Sequence, residues 1–388
     1  MRAGLTPGLG PGLIIIFFNN TTTKQNMKLI IKTLIGIVLC TIFNHTNAKA
    51  QGCVAIKSNG PFSVMIHPEH DTTSKSWEFT TSYRYFRSYK HFKGTAEQTQ
   101  RQVIGNEVIN HQSTVDLNLT RNFNQFWSLS VGLPYLINSR SSLYEHGFKE
   151  RHSSFSNGIG DMRIVANRWL FNSHAATKGN IQVGLGVKLP TGNDNAQSNF
   201  YNVTPQVRPV DQSIQLGDGG FGIIAEANGF LNFNHWFSGY TNLFYMSNPR
   251  NTNGTRTYRE TLSPLLSNEA ISSVPDQYLA RLGVNFTLGG ALNALTLSLG
   301  GRMEGIPVYD LIGKSDGFRR PGYIISAEPS LSYSFKRMYI FASIPVALKR
   351  NRLQSVTDKE NSVKTGTYVI GDAAFADYAL NFGVSFKF

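Results

Sequence analysis

The pattern that most invites a chemical reading is Arg151-His-Ser-Ser-Phe-Ser-Asn-Gly158. A histidine two residues from a serine on one strand face lets the imidazole activate the hydroxyl as a nucleophile. Barrel phospholipases carry His-x-Ser-Asn-Gly in that way. Ser156-Asn157-Gly158 fits the second half, but His152 stands four residues before Ser156. On an extended strand that separation is about 13 Å, beyond hydrogen-bond reach. His152 and Ser154 have the right spacing without the Asn-Gly. Lipid hydrolysis is the weakest alternative, and the residues assign no catalytic group.

Metal and phosphate chemistry find less support. His111, His146, His152, His174 and His235 share neither a face nor a ligand spacing. Cys40 and Cys53 form no CxxC pair and no disulfide framework. Gly217-Asp218-Gly219-Gly220 is followed by no Lys-Ser/Thr and opens no helix, so it is not a phosphate loop. No metal and no cofactor are expected.

A third set of residues repeats at alternate positions. Glu78, Arg84, Asp116, Asp161, Arg163, Lys188, Glu226, Arg281, Arg302 and Glu328 each fall on the polar face of an alternating segment. If that face lines a lumen, mixed acids and bases there either pair as structural ion bridges or form a polar constriction that screens solutes. The opposite orientation would place Arg or Lys in lipid at about 2–4 kcal/mol each near mid-bilayer.

The elements that must position these residues are strands. Ile181, Val183, Leu185, Val187 and Leu189 share one face, with Gln182, Gly184, Gly186 and Lys188 on the other. Tyr378, Leu380, Phe382, Val384, Phe386 and Phe388 repeat the pattern at the C-terminus. Twelve such segments are expected, near 76–88, 113–122, 126–137, 159–170, 180–190, 219–231, 235–246, 277–288, 294–303, 323–335, 338–349 and 377–388. The segments at 159–170, 235–246 and 338–349 are less regular. Most are longer than the five or six residues usual for a strand and suit the about 9–11 of a tilted membrane strand. Connections alternate strictly between short and long, as in outer-membrane barrels with short periplasmic turns and long external loops. The expectation is a single all-β transmembrane antiparallel barrel of about twelve strands over 76–388. Aromatics near strand ends, among them Trp77, Tyr135, Trp169, Trp236 and Tyr323, would form interfacial girdles.

Composition agrees. The 388 residues are 41% hydrophobic and 12% aromatic, but only 16% charged, against about 25% in soluble domains. Beyond residue 50 no run of 18 apolar residues offers a spanning helix. Met27 opens a stretch with Lys28 and Lys32, an apolar core from Leu34 to Phe43 and Ala48-Lys49-Ala50, the form of a cleaved secretory signal over 27–50. Residues 1–26 read as an extension upstream of the true start. Residues 51–75 are expected to hang in the periplasm or plug the barrel. The net charge of +13 includes five bases within residues 1–50 and no acid there, which leaves +8 on the exported chain. The bases are scattered, so no nucleic-acid partner is expected. The expected surroundings are those of a Gram-negative outer membrane, its lipid and lipopolysaccharide.

Two short motifs look like rim geometry. Pro190 ends pairing because it has no N–H, and Thr191-Gly192 turns the chain outward. Gly217, Gly219 and Gly220 permit positive φ where the chain re-enters the sheet. Gly186-Val-Lys-Leu-Pro-Thr-Gly192, Ile214-Gln-Leu-Gly-Asp-Gly-Gly220, Gly158-Ile-Gly-Asp-Met-Arg163, Ile344-Pro-Val346 and the terminal Phe388 together resemble the outer-membrane barrels grouped as phenol-degradation meta-pathway transporters. That group is related to the fatty-acid and aromatic-hydrocarbon transporters. The resemblance implies passive passage of a small solute, hydrophobic or aromatic, through the barrel. It also implies that Phe388 resembles the signal read by the barrel-assembly machinery. An adhesin-like or purely structural barrel is the alternative from a different class.

Overall fold

The structure, a computed structural model, describes residues 75–173, 175–259 and 261–388. The expected signal peptide, the extension before it and nearly all of 51–75 lie outside these residues, as does His174.

Twelve antiparallel strands close into a barrel. They are β1 (Ser76–Lys93), β2 (Ile109–Asn122), β3 (Trp127–Ser142), β4 (His152–Ile159 and Met162–Trp169), β5 (Gly179–Leu189), β6 (Gly222–Asn232), β7 (Phe237–Ser247), β8 (Gln277–Thr287), β9 (Leu295–Ile306), β10 (Gly322–Phe335), β11 (Met338–Ser343 and Val346–Arg352) and β12 (Ala373–Lys387). Each pairs with its neighbours in sequence, and β12 pairs with β1 from Glu78↔Lys387 to Phe92↔Ala373. Closure leaves no unpaired edge, which a strand in lipid cannot tolerate. The seam ends on Phe388, whose N–H donates to the Trp77 carbonyl at 2.9 Å and whose carbonyl accepts from Trp77 N–H at 2.8 Å.

Two strands are interrupted, at two of the three segments whose alternation is weakest. In β4, Tyr135↔Ile159 gives way to Gly132↔Arg163, so one extra residue bulges at Gly160-Asp161 opposite Pro134. In β11, Pro345 removes a ladder donor and splits the strand without changing its register. The third, β7, is continuous.

Period two sorts the faces. Leu185, Leu243, Leu282, Leu299, Leu348 and Phe382 are exposed on the outside, the apolar band of a lipid-facing barrel. At the short-turn end Trp77, Phe123, Trp127, Trp236 and Phe335 are exposed. Arg121 lies over Trp77 at 4.9 Å and Arg168 over Trp127 at 5.6 Å. Such amphipathic pairs suit an interface with one apolar and one wet side. No helix among the described residues is long and apolar enough to span a membrane.

Several strands run further toward the long-loop end than the alternation indicates. β1 reaches Lys93, β3 reaches Ser142 and β4 begins at His152, so the long connection expected over 138–158 shrinks to 143–151. The added residues lie beyond the apolar band, where no lipid selects their outward side chains.

Candidate functional site

The inner face is layered. Toward the short turns, Glu78 apart, it is made largely of amides and hydroxyls: Asn242 Nδ2 donates to Asn228 Oδ1 at 2.6 Å, Asn228 Nδ2 to Gln182 Oε1 at 3.2 Å, and Ser298 Oγ to Asn285 Oδ1 at 2.7 Å. Toward the long loops, charge takes over on several strands: Asp116 is the next same-face position beyond Asn118, Glu226 the next beyond Asn228, and Arg281 follows Asn285 after Gly283.

Four of the ten charges read from alternation meet at one place. Arg281 Nε lies 3.0 Å from Glu328 Oε2, and Arg302 Nη1 lies 3.6 Å from Glu328 Oε1. Arg302 also holds Glu304, Nη2 to Oε2, at 2.8 Å. Arg84 reaches the same Glu304 oxygen at 3.5 Å. β1 and β9 are four places apart around the sheet, so the Arg84–Glu304 contact crosses the interior rather than bridging neighbours. Three guanidiniums and two carboxylates therefore form a buried bar across the barrel, each member no more than 3% exposed. Beside it Tyr240 lies flat on two strands: a Cβ at Gly283 would come within 2.6 Å of its ring, and one at Gly300 within 2.3 Å of its hydroxyl.

Glu304 escaped the alternation analysis by one residue, since the expected segment ended at 303. Its signal was present, because it shares the parity of Arg302. Arg163 forms a second group, stacked over Phe244 at 5.4 Å and within electrostatic reach of Asp116 and Glu226. Glu78 stands apart at the short-turn end, half-buried, accepting from Ser385 Oγ at 2.6 Å.

Lys188 and Asp161 belong to the rim, and there the three motif segments converge. Asp161 lies in the β4 bulge. Its Oδ1 accepts from Gly192 N–H at 3.0 Å and its Oδ2 from Asp218 N–H at 3.1 Å. Lys188 Nζ lies 3.7 Å from Asp161 and also pairs with Asp218. Thr191 Oγ1 donates to Gly160 O at 2.8 Å and accepts from Met162 N–H at 2.9 Å. One carboxylate thus latches both ends of the 190–221 loop to the break in β4. β5 ends at Leu189, just before Pro190. The glycines differ from expectation in their reason. Only Gly219 has a positive φ, 75°. Gly192 and Gly217 are required by contact, since a Cβ on Gly217 would sit 2.4 Å from Gly192 O.

Above the rim, ion pairs stitch the long loops. Arg140 holds Glu145 in a side-on fork, with Nε–Oε2 at 3.1 Å and Nη2–Oε1 at 2.6 Å. Asp211 takes both Nη atoms of Arg320, at 2.9 and 2.7 Å, and lies 3.5 Å from Arg140. Burial opposes the Asp211 charge, but these two guanidiniums win and hold its carboxyl far below the ordinary range. None of this was legible, because a loop partner such as Asp211 obeys no period and Arg140 lies on β3 past residue 137, where the expected segment ends.

In the 151–158 stretch His152, Ser154 and Ser156 each have partners of their own. Ser156 Oγ donates to Ile214 O, and Ser154 Oγ to Arg140 O at 3.4 Å. The His152 ring stacks on Tyr201 at 4.3 Å. No cluster of three metal-ligating side chains occurs among the described residues.

No protein-family model matches this chain, and no curated protein matches it either. Among solved structures, an outer-membrane channel from Pseudomonas putida F1 superposes with a TM-score of 0.54 at 11% identity, covering 85% of this chain and 100% of that one. At that identity the likeness is one of fold. The β domain of the Bordetella autotransporter BrkA follows at a TM-score of 0.43 and 11% identity, covering 81% of this chain and 100% of that one. The toluene transporter TodX of Pseudomonas putida gives 0.37 at 9% identity, covering 87% and 96%.

Proposed function

We propose that this chain is an outer-membrane channel through which small solutes, hydrophobic and aromatic compounds first among them, pass down their gradients. The observation that carries the reading is the closed twelve-stranded barrel with an apolar outside and a layered polar inside. The fold shared with an outer-membrane channel from Pseudomonas putida F1 supports it. Glu78, Arg84, Asp116, Asp161, Arg163, Lys188, Glu226, Arg281, Arg302 and Glu328 line the path in this reading, and the Arg84–Glu304 contact crosses it. A cleaved signal peptide delivers the chain to a Gram-negative outer membrane, Phe388 engages the assembly machinery, and lipid and lipopolysaccharide surround the finished barrel. Net movement needs no cofactor and no energy source.

One observation favours a second reading. The bar spans the interior, and ion pairs tie the loops above it, as a structural or adhesin-like barrel would have them. Flux into liposomes carrying the refolded chain separates the two. Toluene, a long-chain fatty acid and a small sugar are compared with empty vesicles. Toluene flux above the blank supports the channel for hydrophobic solutes, and sugar flux makes it a general porin. Flux of none of the three sinks the channel.

A further inference from the structure

Five of the six long loops, with the upper ends of β1, β3, β11 and β12, enclose a cavity of about 140 Å³. An engineered apolar cavity of about 150 Å³ accepts benzene, so the space suits about six non-hydrogen atoms. One wall is apolar: Val108, Leu266, Phe318, Ala373 and Ala374. The rest is charged, with Arg140, Arg259, Arg320 and Arg352 lining it beside Glu269, Asp358 and Asp372. Their ion-pair partners Arg101, Glu145 and Asp211 stand behind the wall, and the cluster as a whole sets five bases against five acids. His91 adds no charge, since its Nε2 accepts from Val108 N–H at 2.9 Å while Nδ1 faces Asp372 at 3.2 Å.

Arg352 is the exception to this mutual satisfaction. It is 2% exposed, and its Nη2 donates to Asp358 at 3.1 Å. Its Nε and Nη1 meet no acceptor among the described residues. A buried donor left unmade is costly, so an acceptor brought by a guest is favoured there. A guest with a full negative charge would also face Glu269, Asp358 and Asp372, and the lining guanidiniums are already committed to carboxylates in a cluster that balances, which leaves little to repay its desolvation.

We propose that this cavity binds an uncharged oxygen-bearing solute of benzene-like size, a cyclic ketone, ester or alcohol. Its oxygen accepts from Arg352, and its carbon skeleton lies against Phe318, Leu266 and Val108. The site deepens the channel reading by naming a solute class and rests on that reading for its purpose, though binding is measurable without transport.

The test is calorimetric titration of the full chain in detergent, against micelle blanks, with cyclohexanone, benzene and cyclohexanecarboxylate. Cyclohexanone is expected to saturate at one per chain, with the other two at least tenfold weaker. Arg352→Lys keeps the charge beside Asp358 but loses both open donors, and is expected to weaken cyclohexanone about tenfold. Ala374→Leu fills the space without touching an ion pair and is expected to abolish binding, so the test survives a misfolded Arg352 variant. Cyclohexanone that fails to saturate, a carboxylate that binds as well, or affinity unchanged in both variants overturns the site. Liposome flux of cyclohexanone reads the channel separately: flux without binding sinks the site alone, and binding without flux sinks the channel alone.

Discussion

At the centre of the barrel, Glu304 and Glu328 are held by side chains from β1, β8, β9 and β11. At the bulge midway along β4, Asp161 is held by the backbone N–H groups of Gly192 and Asp218. Both clusters are acids among bases inside one sheet, yet they constrain different things. The central bar fixes side chains whose backbone is already set by the ladder, so its loss leaves the barrel's path intact and strands a charge. The rim latch fixes the course of a 32-residue connection (190–221) that lies outside the barrel ladder and pairs only within itself, Gln197–Asn199 with Val207–Pro209, so its loss frees chain rather than charge.

The largest expected effect tests the first half of that contrast. Glu304→Gln leaves Arg84 and Arg302 facing each other in a dry interior. Removing one member of a buried pair costs about 3–5 kcal/mol, which a drop in the urea midpoint of the refolded barrel would register. Replacing all three members around that carboxylate, Arg84→Met and Arg302→Met with Glu304→Leu, strands no charge and leaves the Arg281–Glu328 pair, and stability should return to within about 1 kcal/mol of the parent. If the triple change is as damaging as the single, the bar is not primarily an electrostatic device.

Next in size is Gly217→Ala. The new Cβ would overlap Gly192 O, and relief of such overpacking typically costs about 1–3 kcal/mol. Gly219→Ala tests chiefly a different cause, a left-handed φ, and costs about 1–2 kcal/mol. Its Cβ would meet the Asp194 carboxylate, the end of a side chain that can turn, whereas the Gly217 Cβ meets backbone at the other end of the loop. Limited proteolysis within 190–221 should therefore accelerate more in the Gly217 variant. Asp161→Asn should act in the same direction, because an amide offers one acceptor where the carboxylate offers two, at about 1–2 kcal/mol. Its signature is faster cleavage of that loop with an unchanged barrel. Equal protection in the variant and the parent would remove the latch from the account.

The same division explains what could be read in advance. Lipid imposes a strict period of two on every outward side chain, so all twelve strands, their alternating connections and even the weak points at Gly160-Asp161 and Ile344-Pro345 left a trace in residue order. Beyond the apolar band that constraint lapses. Asn138-Ser-Arg-Ser-Ser142 is polar on both faces and still extends β3, which alternation alone cannot foresee. Glu304 was lost to a boundary placed one residue short. The loop pairs are illegible for a deeper reason: Arg140 meets Asp211 across 70 intervening residues, and only the closed barrel brings their ends together. The motif segments were legible as rim geometry, but that one carboxylate joins all three was not, because Asp161 reads on alternation as one more inward charge.

The smallest effect concerns a join between the 143–151 and 190–221 loops, away from the latch. His146 Nδ1 accepts from Tyr201 N–H at 3.0 Å, and its ring stacks on Phe200 at 5.3 Å. Burial, with His152 adding repulsion, pushes the His146 pKa down to about 4, against about 6.5 in an unfolded chain. Between those values the unfolded chain binds a proton that the folded loop refuses, so stability rises with pH across that window. The contribution is complete above about pH 6.5 and is lost as pH falls toward 4, where a proton on Nδ1 would confront the Tyr201 N–H. His146→Phe keeps the stacking and removes the titration. Unfolding midpoints from pH 7.5 to 4.5 should fall less steeply in this variant than in the parent, though its midpoint at neutral pH starts lower for want of the Tyr201 acceptor. Parallel slopes would mean that this join, unlike the latch, is held by ring packing alone.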